Sequence, residues 1–389
     1  MMKGVRRATL QLLVAASRLL PPRLGGWTRA MMRELEEIPG NAHAVAFALG
    51  CLRAVLSLAI AERLRPLRAA PPVLFPERSI QTMNGISARP RLLGLLCAAL
   101  AVGLGIAYMA AAGAPPRYLL VNLMALVIGA TAWLMLGRTA GSRLGGAGAM
   151  VLALGVVLLL TALFGISAEG ATRWVRVGPL PLQVSLIVLP LMLVAYARRP
   201  DAIGTAGMAV AALALAVQPD RAMAGVLAAG LIALLASRPG RHAVAAAAAS
   251  VAAFGWTLLT PDRLPASPYV DQIFYTAFQV HPLAGAAVVL GAAALLVPAT
   301  GAWRLAGERP ALLAFGGCWA GVIVAAALGN NPTPLVGYGG SAVLGYLLSV
   351  ALLPGGKAAQ AARGADAPMP EGERSSDRDA VEWCAVRSA

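Results

Sequence analysis

The chain has 389 residues, of which 59% are hydrophobic and only 13% are charged. A soluble domain carries roughly 25% charged residues, so this composition excludes an ordinary water-soluble fold. The apolar runs are continuous rather than alternating, which also excludes a transmembrane β-barrel. The sequence therefore predicts an all-α, polytopic membrane helical bundle, in which the many Ala and Gly residues let helices pack closely.

The positive charge of the chain is concentrated near its amino terminus. The formal net charge is +15, and residues 1–91 contain fourteen Lys and Arg against five Glu. Basic segments beside membrane helices set orientation and meet anionic lipid, so we expect a membrane partner and no nucleic acid. The apolar run at 42–64 carries Arg53 near its centre, which is costly inside a bilayer. We therefore predict that residues 1–91 form a basic amphipathic extension at the cytoplasmic interface.

Ten apolar stretches follow, each close to the length of about 20 residues that a bilayer requires. They are 92–113, 118–136, 147–166, 180–197, 203–217, 222–237, 243–260, 283–301, 310–329 and 334–353. If the first span starts inside, the inner loops hold eight arginines and the outer loops five. This bias predicts cytoplasmic termini on both sides of a transmembrane domain at 92–355. Residues 356–389 mix both charges with Pro, Gly and Ser, which predicts a disordered cytoplasmic tail.

No metal site is indicated by the cysteines and histidines. The four cysteines and three histidines are scattered, and none shows the spacing of a metal-ligand set or a disulfide framework. The sequence thus predicts no protein-ligated metal and structural roles for the cysteines.

Four irregular segments interrupt the apolar pattern, and the predicted orientation places all four on the outer side. They are 169–183, 218–221, 260–282 and 330–349. Pro and Gly break helices, and irregular backbone at membrane depth is tolerated only where it lines protein or a water-filled cavity. We therefore predict a polar cavity that faces outward and is covered by these segments.

Three of these segments resemble motifs of the SEDS family, the shape, elongation, division and sporulation proteins (FtsW-, RodA- and SpoVE-like membrane proteins). NPTPLVGYGGS at 331–341 resembles the family's last-helix signature P-x-P-x-V-S-Y-G-G-S. EGATRW at 169–174 with GPLPLQVS at 178–185 resembles N-G-A-x-R-W followed by G and Q-P-S-E, and QPD at 218–220 matches a third motif. The motifs occur in the family's order, so the chain is identified as a divergent SEDS-like protein.

The resemblance implies a peptidoglycan glycosyltransferase that polymerises lipid II at the outer face of the bacterial inner membrane, in cell division or cell-shape control. It also implies a penicillin-binding transpeptidase partner and a divalent cation as a possible cofactor. Such a reaction needs a base for the acceptor hydroxyl and cations beside the diphosphate leaving group. The resemblance assigns substrate binding to Arg173, Trp174, Arg176, Gln183, Gln218, Pro334, Tyr338, Gly339, Gly340 and Ser341.

The chain departs from the family at its charged positions. Leu264 stands where the family's essential Asp belongs, and Leu186 and Leu189 replace a Glu and a Lys. Asp262, or Asp220 of the Q-P-D motif, is the candidate base, although Asp220 also fits as the N-cap of the next helix. Asp271 has the simplest interpretation of a solvated loop charge.

These departures leave two further hypotheses open. The first is a non-catalytic SEDS-like scaffold or regulator that binds a lipid-linked precursor or a cell-wall synthase. The second, supported only by helix number and the broken helices, is a transporter of a lipid-linked substrate.

Overall fold

The computed structural model describes residues 90–139, 146–178, 180–260, 264–303 and 306–354, with isolated positions between 30 and 51. The chain divides into two compact units, Met1–Ile80 and Gln81–Ala389. The predicted tail and nearly all of the predicted amphipathic extension lie outside the described residues and stay predictions.

Eleven α-helices lie within the described part of the second unit, and ten of them match the ten predicted spans one to one. They are α1 (Pro90–Ala111), α2 (Pro116–Thr139), α3 (Ala147–Phe164), α4 (Val184–Arg198), α5 (Ala202–Val217), α6 (Arg221–Leu235), α7 (Arg241–Leu258), α8 (Ile273–Val280), α9 (Pro282–Ala294), α10 (Arg309–Leu328) and α11 (Gly340–Ala351). Two 3-10 helices, Val297–Trp303 and Ala306–Glu308, connect α9 to α10. The short helix α8 was not predicted.

Four of the described helices are long and apolar enough to cross a bilayer. These segments are Pro90–Ala111, Pro116–Leu136, Ala147–Phe164 and Arg309–Leu328. Five of the other described apolar helices have 10–17 residues. Two of these begin later than predicted, because a strand precedes α4 and the irregular Pro- and Gly-rich segment precedes α11. The architecture is a polytopic helical membrane bundle, which confirms the predicted fold class.

A three-stranded antiparallel sheet joins α3 to α4, and the sequence predicted only irregular backbone there. Its strands β1 (Ile166–Ala168), β2 (Ala171–Val177) and β3 (Leu180–Gln183) lie in the order β1-β2-β3. Glu169 and Gly170 both have positive φ, 49° and 83°, as a tight two-residue hairpin requires. The strands pair their backbone groups with one another, which is how a non-helical segment at the membrane satisfies its polar backbone.

Helix α4 lies at the centre of the core. Its apolar residues are buried on every side, as expected for a helix without a polar face. It packs against α3, α10 and α11. The contact with α11 is so close that a Cβ atom on Gly345 would overlap the carbonyl oxygen of Leu186. Since α4 follows β3 directly, this rigid helix fixes the position of the sheet.

Candidate functional site

A cavity of about 740 Å³ opens at one end of the bundle, which we call the cavity end. This is the end at which α1 joins α2, α3 joins α4, α7 joins α8, and α10 joins α11. Its walls come from residues 115–118, 166–186, 264–271 and 330–342. Three of the four irregular segments therefore meet around one space, and the fourth, at 218–221, lies directly beneath it.

The floor of the cavity contains a buried ion pair. Arg173 of β2 is only 4% exposed, and its Nη1 lies 4.0 Å from Oδ1 of the fully buried Asp220. Arg173 Nη2 also donates to the carbonyl oxygen of Pro219 at 2.5 Å. Arg173 lines the cavity and Asp220 does not. The guanidinium is thus held from below, with its charge next to the cavity.

Both carboxylate oxygens of Asp220 accept hydrogen bonds from protein groups. As the N-cap of α6, Oδ1 accepts from the Met223 N–H at 3.2 Å. Oδ2 accepts from Ser185 Oγ at 3.1 Å and from Gln183 Nε2 at 3.3 Å. The N-cap alternative is the one that this geometry favours. This carboxylate contacts Gln183, Ser185 and Arg173 and does not line the cavity.

The sheet is joined to the last helix at the cavity wall. The backbone N–H of Gln183 donates to Ser341 Oγ at 2.9 Å, so the end of β3 is bound to the start of α11. Gln183 and Ser341 both line the cavity, as do Trp174 and the exposed Arg176. Two distant motifs of the resemblance are therefore in direct contact.

The long loop before α8 docks on the segment that precedes α11. The N–H of Thr333 donates to the Val270 carbonyl at 2.9 Å, and the N–H of Tyr338 donates to the Tyr269 carbonyl at 2.6 Å. Next to the Thr333–Val270 bond, Asp271 and Pro332 form an isolated antiparallel bridge. This pairing fixes the residues of the loop that line the cavity.

Asp271 is the buried carboxylate of the cavity wall. It is 9% exposed, and its Oδ2 accepts from the Ser267 N–H at 2.8 Å. Burial raises the pKa of Asp271, and the Ser267 hydrogen bond offsets only part of that effect. The prediction that Asp271 is a solvated loop charge was wrong, because the pairing of its loop with residues 330–338 buries the side chain. The other acidic residue of the described wall, Glu169, is exposed.

The remaining predicted residues fall into three groups. Tyr338 and Gly339 line the cavity with Leu264, the residue at the family's Asp position. The predicted residues outside the described lining are Gln218, Pro334 and Gly340. Asp262 lies outside the described residues and remains a prediction.

The described residues do not by themselves bring together a metal-ligand set. No three His, Cys, Asp or Glu of the described ranges lie close enough to hold an ion. The cavity wall offers only Asp271 and Glu169 as carboxylates among these residues. This donor set does not fit a protein-ligated cation.

Sequence reasoning missed several residues of the site. Thr333 is 2% exposed, lines the cavity, and its Oγ1 has no hydrogen-bond partner among the described residues. Tyr118 and Tyr269 also line the cavity, and Asn122 lies buried within α2 behind them. An asparagine inside an apolar span is expensive, so Asn122 was the one signal that could have been used.

Comparison with known proteins identifies the fold. No protein-family model and no curated protein matches the chain. The crystal structure of the rod shape determining protein RodA from Thermus thermophilus is 21% identical, with a TM-score of 0.51, and covers 71% of this chain and 97% of its own. An Asp-to-Ala mutant of that protein gives the same identity and TM-score and covers 98% of its own chain. A chain from a peptidoglycan synthase complex is 22% identical, with a TM-score of 0.47. The chain thus has the SEDS-like fold that its motifs predicted.

Proposed function

We propose that this chain is a divergent SEDS-like glycosyltransferase that polymerises lipid II. One observation carries the proposal: a single cavity at the end of the bundle holds the buried cation Arg173 and the buried carboxylate Asp271. Glycosyl transfer from a polyprenyl diphosphate needs a carboxylate beside the acceptor hydroxyl and a cation beside the diphosphate leaving group.

Asp271 is the group best placed to act as the base. It removes the proton from the acceptor sugar hydroxyl, whose oxygen then bonds to the anomeric carbon of the donor. The bond from that carbon to the diphosphate oxygen breaks, and the diphosphate leaves with the electron pair. A carboxylate whose pKa is raised by burial is a stronger base, which suits this role.

The leaving group is assigned to the arginines of β2. Arg173 is fixed by Asp220 and by the Pro219 carbonyl, so little reorganisation is needed when charge develops on the diphosphate. Arg176, on the same strand, is exposed and lines the same cavity. Asp262 remains a second candidate for the base.

A non-catalytic scaffold is the alternative, favoured by the residues that differ from the family. Leu264 and Leu186 both line the cavity at positions where the resemblance expects charge. Such a protein would bind the lipid-linked precursor or a cell-wall synthase without transferring sugar. Transport of a lipid-linked substrate is a third, weaker reading that no contact in the cavity favours.

The setting of the reaction is also proposed from the resemblance. We place the cavity end at the outer face of the bacterial inner membrane, with both termini in the cytoplasm. The proposed partner is a penicillin-binding transpeptidase that crosslinks the new strand, in cell division or cell-shape control.

The test is polymerisation of lipid II by the purified full-length protein, alone and with candidate transpeptidases. We expect glycan strands from the wild type, their loss in Asp271→Asn, and their retention in Glu308→Gln at the opposite end of the bundle. Asp262→Ala is measured beside them, because loss in that variant alone would transfer the role of base to Asp262. Lipid II binding without strands under any pairing would favour the scaffold.

A further inference from the structure

Three tyrosines from three separate segments meet at the cavity wall. Tyr118 lies at the start of α2, Tyr269 in the docked loop, and Tyr338 just before α11. The Tyr118 and Tyr338 rings stack with centroids 3.9 Å apart and an interplanar angle of 16°. Tyr269 meets Tyr118 edge-on at 6.1 Å and 71°. All three side chains are half-buried, and all three line the cavity.

Asn122 fixes the backbone on both sides of Tyr338. This fully buried side chain donates from Nδ2 to the Gly337 carbonyl at 2.7 Å and accepts at Oδ1 from the Gly339 N–H at 3.1 Å. Tyr118 and Asn122 are one helical turn apart on α2, so one helix face supplies both the stacking ring and the backbone clamp. The polar group inside an apolar helix thus has a positioning role.

Tyr269 is held in a backbone conformation that is unusual for its type. Its φ is 62°, in the left-handed region that bulky residues avoid. Its carbonyl accepts from the Tyr338 N–H, and its hydroxyl donates to the Ala112 carbonyl at 3.2 Å. Strain of this kind persists where the surroundings over-determine it, and it concentrates at ligand sites.

Polar groups stand beside the rings. Asp271 is two residues from Tyr269. The Thr333 hydroxyl, on the segment that pairs with that loop, is buried without a partner among the described residues. The ring of a sugar has an apolar C–H face that packs on an aromatic face, while its hydroxyls need hydrogen bonds. Aromatic surface with a few fixed polar groups is the composition of a small-molecule subsite.

We infer that Tyr338, Tyr118 and Tyr269 form a saccharide subsite for the lipid-linked substrate, with Asn122 as its positioning residue. The inference rests on the proposed function and adds which part of the ligand these residues recognise. Arg173 and Arg176 bind the diphosphate, the tyrosines bind a sugar ring, and Thr333 takes one of its hydroxyls. The two parts of the ligand are therefore recognised by different residues.

The test compares two ligands that differ only in their sugars. Full-length protein is titrated with lipid II and with undecaprenyl diphosphate, which has the same lipid and diphosphate and no saccharide. In Tyr338→Leu, which keeps apolar volume but removes the aromatic face, we expect affinity for lipid II to fall about tenfold. Affinity for undecaprenyl diphosphate should stay within about twofold of wild type.

Further variants separate the ring from its surroundings. Tyr338→Phe keeps the ring and should retain lipid II affinity, while Asn122→Leu should repeat the selective loss. Tyr275→Ala is the matched control, because Tyr275 is exposed on α8 and outside the described lining. Equal losses for both ligands in Tyr338→Leu, or no loss for either, would overturn the inference. A wild-type protein that binds neither ligand overturns the proposed function, and the subsite with it.

Discussion

The two ends of the bundle differ in what their polar side chains contact and in how deeply these side chains are buried. At the end away from the cavity, which we call the arginine end, Arg238 Nη1 donates to the carbonyls of Arg198 and Ala197 at 2.5 and 3.3 Å. Arg198 pairs with Glu308 at 3.0 Å. These contacts satisfy carbonyls that the last turn of α4 leaves without partners. At the cavity end the corresponding groups border a space of about 740 Å³, whereas the space beside Arg198, Arg238 and Glu308 is only about 180 Å³.

The ion pairs at the two ends also differ in how deeply they are buried. The side chains of Arg173 and Asp220 are 4% and 1% exposed, whereas those of Arg198 and Glu308 are 13% and 31% exposed. Solvent screens the second pair and hardly reaches the first. The difference teaches that similar ion pairs can stand in different settings: the pair at the arginine end is partly exposed, and the pair at the cavity end holds a buried charge beside the cavity.

The largest expected effect comes from breaking the buried pair. Asp220→Ala removes the buried carboxylate beside Arg173 and the N-cap of α6, so we expect a loss of about 3–5 kcal/mol in unfolding free energy. Denaturant unfolding of the purified protein measures it. Asp220→Asn keeps the side-chain shape and should lose less than Asp220→Ala. A loss below about 1 kcal/mol for the alanine variant would show that the pair is not held as the structure describes.

The close contact between α11 and α4 should give the next largest effect. In Gly345→Ala the new methyl group meets the Leu186 carbonyl, and we expect a destabilisation of about 1–3 kcal/mol as α11 moves from α4. Gly103→Ala in α1 is the control, because a Cβ there meets nothing within 4 Å. Equal stability of the two variants would contradict the close packing of α11 on α4.

The arginine end should be the more tolerant end. Arg198→Met and Glu308→Gln each break a partly exposed pair, so we expect less than about 1 kcal/mol from either change, with little coupling in a double-mutant cycle. Lipid II affinity should be unchanged in both. If either variant loses more stability than Asp220→Ala, the contrast between the two ends is wrong.

The smallest expected effect on stability is that of Asp271→Asn, which should stabilise the protein rather than destabilise it. Burial raises the pKa of Asp271, so the folded protein holds this proton more tightly than the unfolded chain does. Its contribution to stability is fully present below the unfolded pKa and is lost as pH rises through the folded pKa. Asp271→Asn removes the ionised form, and its melting temperature should equal or exceed that of wild type at neutral pH.

That difference should shrink as the pH is lowered and the wild-type carboxyl takes up its proton. The same variant should be inactive in polymerisation, as expected when a site keeps a destabilising charge for function. A melting temperature well below that of wild type at neutral pH would assign Asp271 a structural role instead.

Sequence patterns predicted the helices well and their connections poorly. The ten long apolar stretches were enough to predict the helices, because a continuous apolar segment in a bilayer must form a helix to satisfy its backbone hydrogen bonds. The strands of the sheet are short, between 3 and 7 residues, and β2 mixes Arg with apolar residues, so no period was visible. Helix α8 was missed for a similar reason, because its 8 residues lie within a loop.

The site was predicted where motifs marked it and missed where distant pairing made it. Arg173, Gln183 and Ser341 lie in recognisable motifs, and all three line the cavity. The burial of Asp271 depends on hydrogen bonds between the 264–271 loop and the 330–338 segment, and no local pattern encodes that contact. Asp220 could be assigned either way from sequence, and only the donors around it favour its capping role.

The pairing of Tyr269 and Val270 with Tyr338 and Thr333 also bears on biosynthesis. These partners lie on either side of α8, α9 and α10, so a ribosome completes three more helices before the second half of the wall exists. Contacts between segments far apart in the chain form late, after the local helices. During synthesis the helices from α1 to α10 are therefore made before this part of the wall, and the segment that precedes α11 completes it.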